Sequence, residues 1–152
     1  MKLQEALKTD RFRDEQHKAT LNVLYTAYWF KSHLSIVFKE HGITEEQFNV
    51  MRILKGKHPE QMCVRDIASR MLEKNSNVPR IIDRLVAKKM VKRENSTEDK
   101  RETLISLTAK GIEQLEKVSK QVETKSNDII NLSDEEANQL HNLLEKLREE
   151  EK

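Results

Sequence analysis

Apolar residues recur every three to four positions along most of the chain, which is the spacing of amphipathic helices. The pattern predicts a long first helix over Asp14–Glu40, which ends at Gly42 because glycine readily adopts the positive φ of a helix C-terminus. A second helix is expected to begin after Thr44, since Thr44 and Gln47 have the spacing of a capping box. Pro59 disfavours helix at the residue before it, so the second helix is expected to end there.

Two shorter helices with a polar turn between them are predicted in the middle of the chain. The first spans Arg65–Leu72, with Leu72 among its inward-facing residues. The second spans Asn77–Lys89 after a turn that Ser76 is expected to cap. Pro79 falls in the first turn of this second helix, where a missing N–H costs little.

Alternation of apolar and polar residues then replaces the helical spacing. It predicts two strands, Val91–Glu94 and Thr103–Leu107, joined by residues 95–102, which are all polar or charged. This pattern is typical of a β-hairpin with a long charged tip. Upstream, Met62–Val64 is long enough for only a small strand.

Two further helices complete the chain. Thr108 is expected to cap the first of them, and Ser133 opens a second capping box with Glu136 before the last. Both carry an apolar stripe. The fold class predicted from these patterns is mainly α-helical with a small β-hairpin.

Composition supports this class and narrows it. Hydrophobic and charged residues each make up 36% of the chain, which suits amphipathic helices, and 3 Gly and 2 Pro are too few for an all-β sandwich. No apolar run reaches the ~18 residues of a membrane span, and the N-terminus lacks the apolar centre of a signal peptide. The single Cys63 cannot form an internal disulfide. A cytoplasmic helical protein is therefore expected.

The charge is unevenly distributed along the chain. Residues 1–59 carry +3, residues 60–111 carry +4 and residues 112–152 carry −5. Nine basic and four acidic side chains lie within residues 74–101. A basic centre followed by an acidic tail indicates one face for a polyanion and another for protein or solvent.

The order of the central elements suggests what the polyanion is. A short helix, a turn, a second helix and a charged hairpin form a helix-turn-helix followed by a wing. A helix fits the DNA major groove, where Arg pairs with guanine and Asn with adenine, and Asn77 and Arg80 stand on the exposed first turn. Further basic residues would follow the phosphates or enter the minor groove: Arg84, Lys88, Lys92, Arg93, Lys100 and Arg101.

Three segments resemble the MarR family of bacterial transcription regulators. Residues 99–108, DKRETLISLT, resemble the D-x-R … L-T signature of that family's wing. Residues 76–93 resemble its recognition helix and first wing strand, and residues 132–147 its C-terminal helix. The resemblance implies a winged helix-turn-helix over residues 43–108, flanked by dimerisation helices in residues 1–42 and 109–152.

The resemblance also implies roles for particular residues. Arg101 matches the wing arginine that enters the minor groove, and Asp99 matches the acid that orients the wing. Residues matching groove-facing positions at the start of the recognition helix are Ser76, Asn77 and Arg80. Two positions depart from the pattern, because Pro79 stands where Thr or Ser is frequent and Lys89 where Gly is common.

Pairing of two chains would bury apolar stripes that a thin monomer leaves open. An obligate interface of this kind covers roughly 2,000 Å² or more. Twofold symmetry would place the two recognition helices ~34 Å apart on one face of a duplex. The resemblance to the MarR family implies a homodimeric regulator, usually a repressor, that binds a pseudo-palindromic operator and is released by a small ligand or an oxidant.

Two sets of residues are candidates for sensing that signal. Cys63 would make the chain a redox regulator, although its apolar neighbours favour a buried structural thiol. An aromatic cluster could line a pocket for a small aromatic effector or belong to the core: Tyr25, Tyr28, Trp29 and His33. The five histidines form no i, i+4 pair, so no metal or cofactor is expected.

Enzyme signatures are absent from the sequence, including a P-loop, G-x-G-x-x-G, H-E-x-x-H and G-x-S-x-G. The hypothesis is a DNA-binding regulator rather than an enzyme. Two alternatives stay open: a redox-sensing regulator that uses Cys63, and a winged-helix module that binds another protein and no DNA.

Overall fold

A computed structural model describes residues 1–150, over which helices and short strands follow one another in the expected order. The elements are α1 (Leu3–Leu7), α2 (Glu15–Glu40), α3 (Glu45–Lys57), β1 (Met62–Cys63), α4 (Val64–Arg70), α5 (Val78–Ala87), β2 (Val91–Asn95), β3 (Thr103–Leu107), α6 (Ala109–Ile129) and α7 (Asp134–Leu147). The predicted fold class, mainly helical with a small winged sheet, is confirmed.

The long helices begin where the sequence predicts, because polar side chains satisfy their first N–H groups. Asp14 accepts a hydrogen bond from His17 N at 2.7 Å at the start of α2. The capping box of Thr44 is formed at α3, that of Ser133 is formed at α7, and Thr108 caps α6. Gly42 follows α2 with a φ of 65°, as a C-terminal glycine should.

The three strands form one antiparallel sheet in the order β1-β3-β2. In the hairpin, Val91 pairs with Leu107 and Asn95 with Thr103, so β2 is one residue longer than predicted. The short strand β1 lies on the other side of β3, where Met62 pairs with Ile105. This sheet fixes the base of the wing against the helices.

A single hydrophobic core joins the helix-turn-helix to the long helices. Its fully buried residues include Met51 from α3, Ile67 from α4, Leu85 from α5, Ile105 from β3 and Val118 from α6. The long helices α2 and α6 therefore contribute to the same core as the recognition helix.

The predicted α4 is too long, and its last residue faces the wrong way. The helix ends at Arg70, and Met71 has extended backbone with its side chain in the core. Extension at Met71 turns the next side chain outward, so Leu72 is 77% exposed rather than buried. The short helix α1, which buries Leu3, was not predicted.

The second helix of the motif is shorter than predicted at both ends. Asn77, not Ser76, is its N-cap, since Asn77 Oδ1 accepts from Arg80 N at 3.3 Å. At the other end Lys88 is the C-cap, and Lys89 has left-handed backbone with a φ of 60°. The departure at Lys89 thus falls on a position whose backbone favours glycine.

Candidate nucleic-acid interface

Helix α5 exposes a polar face because its apolar face is covered completely. Val78, Ile82 and Leu85 are each at most 1% exposed against the core. On the opposite side Arg80 and Arg84 are exposed, and neither has a carboxylate within ion-pair distance among residues 1–150. Two arginines that extend freely from adjacent turns can reach base edges and phosphates.

The start of α5 offers fewer polar groups than the sequence suggested. The Oδ1 atom of Asn77 is engaged as the helix cap, which leaves its Nδ2 group to donate to a partner. Ser76 is half-buried, and its Oγ lies 3.5 Å from Glu46 Oε1 on α3. Beside them, Thr44, Gln47, Arg80 and Arg84 line part of an open cleft between α3 and α5.

The tip of the wing is held by short-range hydrogen bonds to polar side chains. Ser96 Oγ accepts from the N–H groups of Glu98 and Asp99, each at 3.3 Å. Asp99 Oδ1 accepts from Arg101 N at 3.0 Å, and Asp99 O accepts from Glu102 N at 3.0 Å. The carboxylate of Asp99 therefore fixes the backbone from which the Arg101 side chain projects.

The two basic residues at this tip are open to a ligand. Lys100 and Arg101 are exposed, and no ion pair engages either side chain within the described part of the chain. Two exposed basic side chains on a hydrogen-bonded turn suit insertion into the negative potential of a minor groove.

The base of the wing uses its charges internally. Arg93 on β2 forms an ion pair with Asp83 on α5, which connects the wing to the recognition helix. Glu94 accepts a hydrogen bond from Gln61 Nε2 at 3.1 Å and pairs with Lys92 at 3.3 Å. The Gln61 hydrogen bond, helped by Lys92, lowers the pKa of Glu94. Arg93 was predicted to follow the phosphates, and the structure instead engages it within the protein.

Lys88 also differs from its predicted place on the polar face. It is half-buried, and its Nζ donates to Gly42 O and, at 3.0 Å, to Gln47 Oε1. An ammonium engaged in this way is not free to extend from α5 as the side chains of Arg80 and Arg84 are.

A second connection to the helix-turn-helix was missed by the sequence analysis. Lys31 on α2 forms an ion pair with Glu73 in the turn between α4 and α5. The hydrogen bond to Glu73 raises the pKa of Lys31, and Glu45 and Glu46 add to the effect. Because Lys31 and Glu73 are 42 residues apart, no local pattern indicates their contact.

Comparisons with known proteins decide the family. The model described as the MarR family matches residues 43–103, the segment from α3 to the start of β3. The HTH-type transcriptional regulator YkoM of Bacillus subtilis (strain 168) is 34% identical over 112 residues, which cover 70% of this chain and 71% of that protein. The chain belongs to the MarR family. The family assignment made from residues 76–108 and 132–147 is thereby confirmed.

Solved structures show the same fold over nearly the whole chain. A MarR-like transcription regulator from Bacillus cereus ATCC 10987 has a TM-score of 0.78 at 24% identity and covers 89% of this chain and 96% of its own. The S. aureus MepR–DNA complex has a TM-score of 0.76 at 22% identity, with coverage of 84% and 94%. MarR-family winged helices thus share the arrangement of α5 and the wing described above.

Of the four residues proposed for an effector pocket, Tyr25, Trp29 and His33 are half-buried and recur every four positions along one face of α2. Tyr28 is 69% exposed, and the rings of Trp29 and His33 meet edge-on with centroids 4.8 Å apart. A groove of about 210 Å³ that reaches the core begins only beyond them. Its lining includes Leu34, Phe38, Phe48, Met71 and Val122, with Glu45, Glu46 and Glu73 among its polar residues. This groove is a second candidate for an effector site, beside the aromatic cluster.

Cys63 is buried, as its apolar neighbours indicated. Its side chain is 9% exposed, and its backbone is paired with Leu104 of β3. Sensor thiols need access to their oxidant, so this position favours a structural role. Within residues 1–150 no three potential metal ligands come together, and no helix is long and apolar enough to span a membrane.

Proposed function

We propose that this MarR-family regulator binds double-stranded DNA sequence-specifically as a homodimer and represses transcription. The observation that carries the proposal is the paired exposure of Arg80 on α5 and Arg101 on the wing. Both extend from elements fixed to one core, while the neighbouring cations Arg93 and Lys88 are engaged by other groups of the same chain.

Each exposed element suits a different groove. The first turn of α5 would enter the major groove, with Arg80 on a guanine and the Nδ2 group of Asn77 on an acceptor. Arg84 would contact the phosphates, and Lys100 and Arg101 would enter the neighbouring minor groove. A similar fold is found in the S. aureus MepR–DNA complex, which supports this placement.

The homodimer is supported by apolar surface that the monomer does not cover. No residue of α7 is buried, and three of its four leucines are exposed: Leu140 at 46%, Leu143 at 65% and Leu147 at 58%. Leu24 and Tyr28 on α2 are exposed as well. We assign dimerisation to residues 1–42 and 109–152 and DNA binding to residues 43–108.

A small ligand would release the DNA by changing the spacing of the two recognition helices. The groove beside Phe38 and Phe48 adjoins both α2 and the turn that holds Glu73. A ligand there would disturb the contact between Lys31 and Glu73, and with it the position of the helix-turn-helix.

Selection of bound sequences from random duplex DNA tests the proposal. An inverted repeat with half-sites about one helical turn apart is the expected result. Arg101→Ala should then weaken binding to the selected duplex and reduce the slope of log affinity against log salt by about 1. Lys55→Ala, which removes one exposed positive charge from α3, is the control and should change neither. Weak, salt-insensitive binding to all duplexes would favour the protein-interaction module instead.

A further inference from the structure

The corner between α2 and α3 is a point where three parts of the chain meet. Gly42 turns the backbone with its positive φ, and α3 begins at once with the capping box of Thr44 and Gln47. From α6, Gln114 Nε2 donates to His41 O at 3.2 Å. From the recognition helix, Lys88 donates to Gly42 O and to Gln47 Oε1.

Gln47 is the centre of this corner. Its side chain is 3% exposed, and its Oε1 accepts both from Thr44 N at 3.3 Å and from Lys88 Nζ at 3.0 Å. The bond from Lys88 is charge-assisted and has a buried acceptor, which makes it stronger than a hydrogen bond between exposed neutral groups. Loss of the ammonium would remove one hydrogen-bond donor from Gly42 O and one from Gln47 Oε1.

The end of α5 that carries Lys88 is itself rigid. Met90 N donates to Leu85 O at 3.0 Å and Lys89 N to Val86 O at 2.9 Å, which together form a Schellman motif. Thr108 Oγ1 donates to Lys89 O at 2.6 Å at the start of α6. The hydrogen bonds of the Lys88 side chain therefore constrain the position of the whole C-terminal end of α5.

We propose that Lys88 is a positioning residue for DNA reading, which fixes the C-terminal end of α5 to the α2–α3 corner without itself contacting DNA. The inference rests on the proposed function. Lys88 lies eleven residues after Asn77, or about 16 Å along the axis at about 1.5 Å per residue, so a shift at this end tilts the reading end. Because α2 belongs to the dimerisation region, the bond sets the recognition helix relative to the twofold frame.

Lys88→Met removes the ammonium and keeps an unbranched side chain of similar length. Misplacement of even one bidentate base contact lowers affinity by about tenfold. We therefore expect Lys88→Met to weaken binding to the selected inverted repeat by about tenfold or more. Affinity for random duplex, and its salt slope, should stay at the wild-type values because no phosphate contact is lost.

The matched control is Lys89→Met, which removes the same charge from the next, exposed position. It should leave the ratio of specific to random affinity unchanged. If Lys88 contacts a phosphate, Lys88→Met will weaken both duplexes together and reduce the salt slope by about 1, which overturns the inference.

The acceptor provides an independent test. Gln47→Leu removes the bond from Lys88 to Gln47 and leaves the bond from Lys88 to Gly42 O, so it should lower the affinity ratio in the same direction as Lys88→Met. The double variant should be no worse than Lys88→Met alone, because that variant has already lost the bond to Gln47. Gln47→Glu restores an oxygen acceptor and should recover the ratio relative to Gln47→Leu. Additive losses in the double variant would overturn the inference.

Hydrogen exchange of the DNA-free protein separates this inference from the proposed function. Lys88→Met should speed exchange of the amides in residues 85–90 and 42–47, and Lys89→Met should not affect residues 42–47. If Lys88→Met leaves exchange unchanged, the hydrogen bonds of Lys88 to the corner are not formed. If exchange is faster but the ratio of specific to random affinity is unchanged, these bonds do not position the recognition helix. Either result overturns the inference. A wild-type chain that binds no DNA contradicts the proposed function, whatever the exchange shows, and the inference falls with it.

Discussion

The recognition helix α5 and the C-terminal helix α7 have similar patterns of apolar and polar residues, but they differ in whether their apolar face is buried in the structure. Both are amphipathic and both begin with a polar cap, Asn77 in one and Ser133 in the other. The apolar face of α5 is buried in its own chain, whereas α7 buries no residue. An apolar stripe in the sequence thus predicts that one face of a helix is buried from water. Only the tertiary structure shows whether the same chain or a partner buries it.

The largest effect on stability is expected in α5, whose apolar face is buried. Leu85 is 0% exposed at the centre of α5, so Leu85→Ala should reduce the free energy of unfolding by about 2–5 kcal/mol. Urea denaturation monitored by circular dichroism measures it. Arg84→Ala, one residue away and exposed, should stay within about 0.5 kcal/mol of wild type. Equal losses in the two variants would contradict the burial of this face.

The corresponding leucine on α7 should act on association rather than on the fold of one subunit. Leu143 is 65% exposed in the single chain, and full burial of a leucine is worth about 1.5–3 kcal/mol. Leu143→Ala should therefore raise the dimer dissociation constant by about tenfold or more, as measured by sedimentation equilibrium. Glu145→Ala on the same helix is the control. A dissociation constant equal to that of the wild type would remove α7 from the interface.

The N-caps of α5 and α7 differ in how much other packing stabilises the first turn that each one begins. Asn77→Ala and Ser133→Ala each remove a capping side chain, at a cost of about 1 kcal/mol. In α5 the buried face holds the helix, so Asn77→Ala should lower the unfolding midpoint and leave its amides protected. In α7 residues 134–138 are all exposed in the single chain, so Ser133→Ala should speed their hydrogen exchange. Similar exchange in both first turns would show that α7 is already covered by a partner.

Most of the fold was predictable because its signals are local. Helix starts at Thr44, Thr108 and Ser133 follow from hydrogen bonds between residues three apart, and the hairpin follows from alternation over neighbouring positions. The exposed arginines were predictable for the same reason. Arg80 lies on the polar side of a helix with a single apolar face, and Arg101 lies on a polar tip.

The errors at Lys88 and Arg93 concern residues whose position depends on distant contacts. Lys88 lies four residues after Arg84 and seven after Ile81, so helical spacing assigns it equally well to the polar face or to the buried face. Its acceptors, Gly42 and Gln47, are more than 40 residues away and decide the matter. Arg93 and Lys31 are likewise engaged by carboxylates on other elements.

The smallest expected effect concerns how α5 ends. Lys89 has a φ of 60°, a left-handed conformation that costs a non-glycine residue roughly 1–2 kcal/mol, while glycine loses about 0.5–1 kcal/mol more backbone entropy on folding. Lys89→Gly should therefore stabilise the protein by about 0.5–1 kcal/mol, whereas α7 has no left-handed residue at its C-cap, Arg148. Thermal unfolding of Lys89→Gly measures the gain, with Lys89→Met as the control for loss of the charge. A lower melting temperature than that of Lys89→Met would show that the Lys89 backbone is not left-handed in solution.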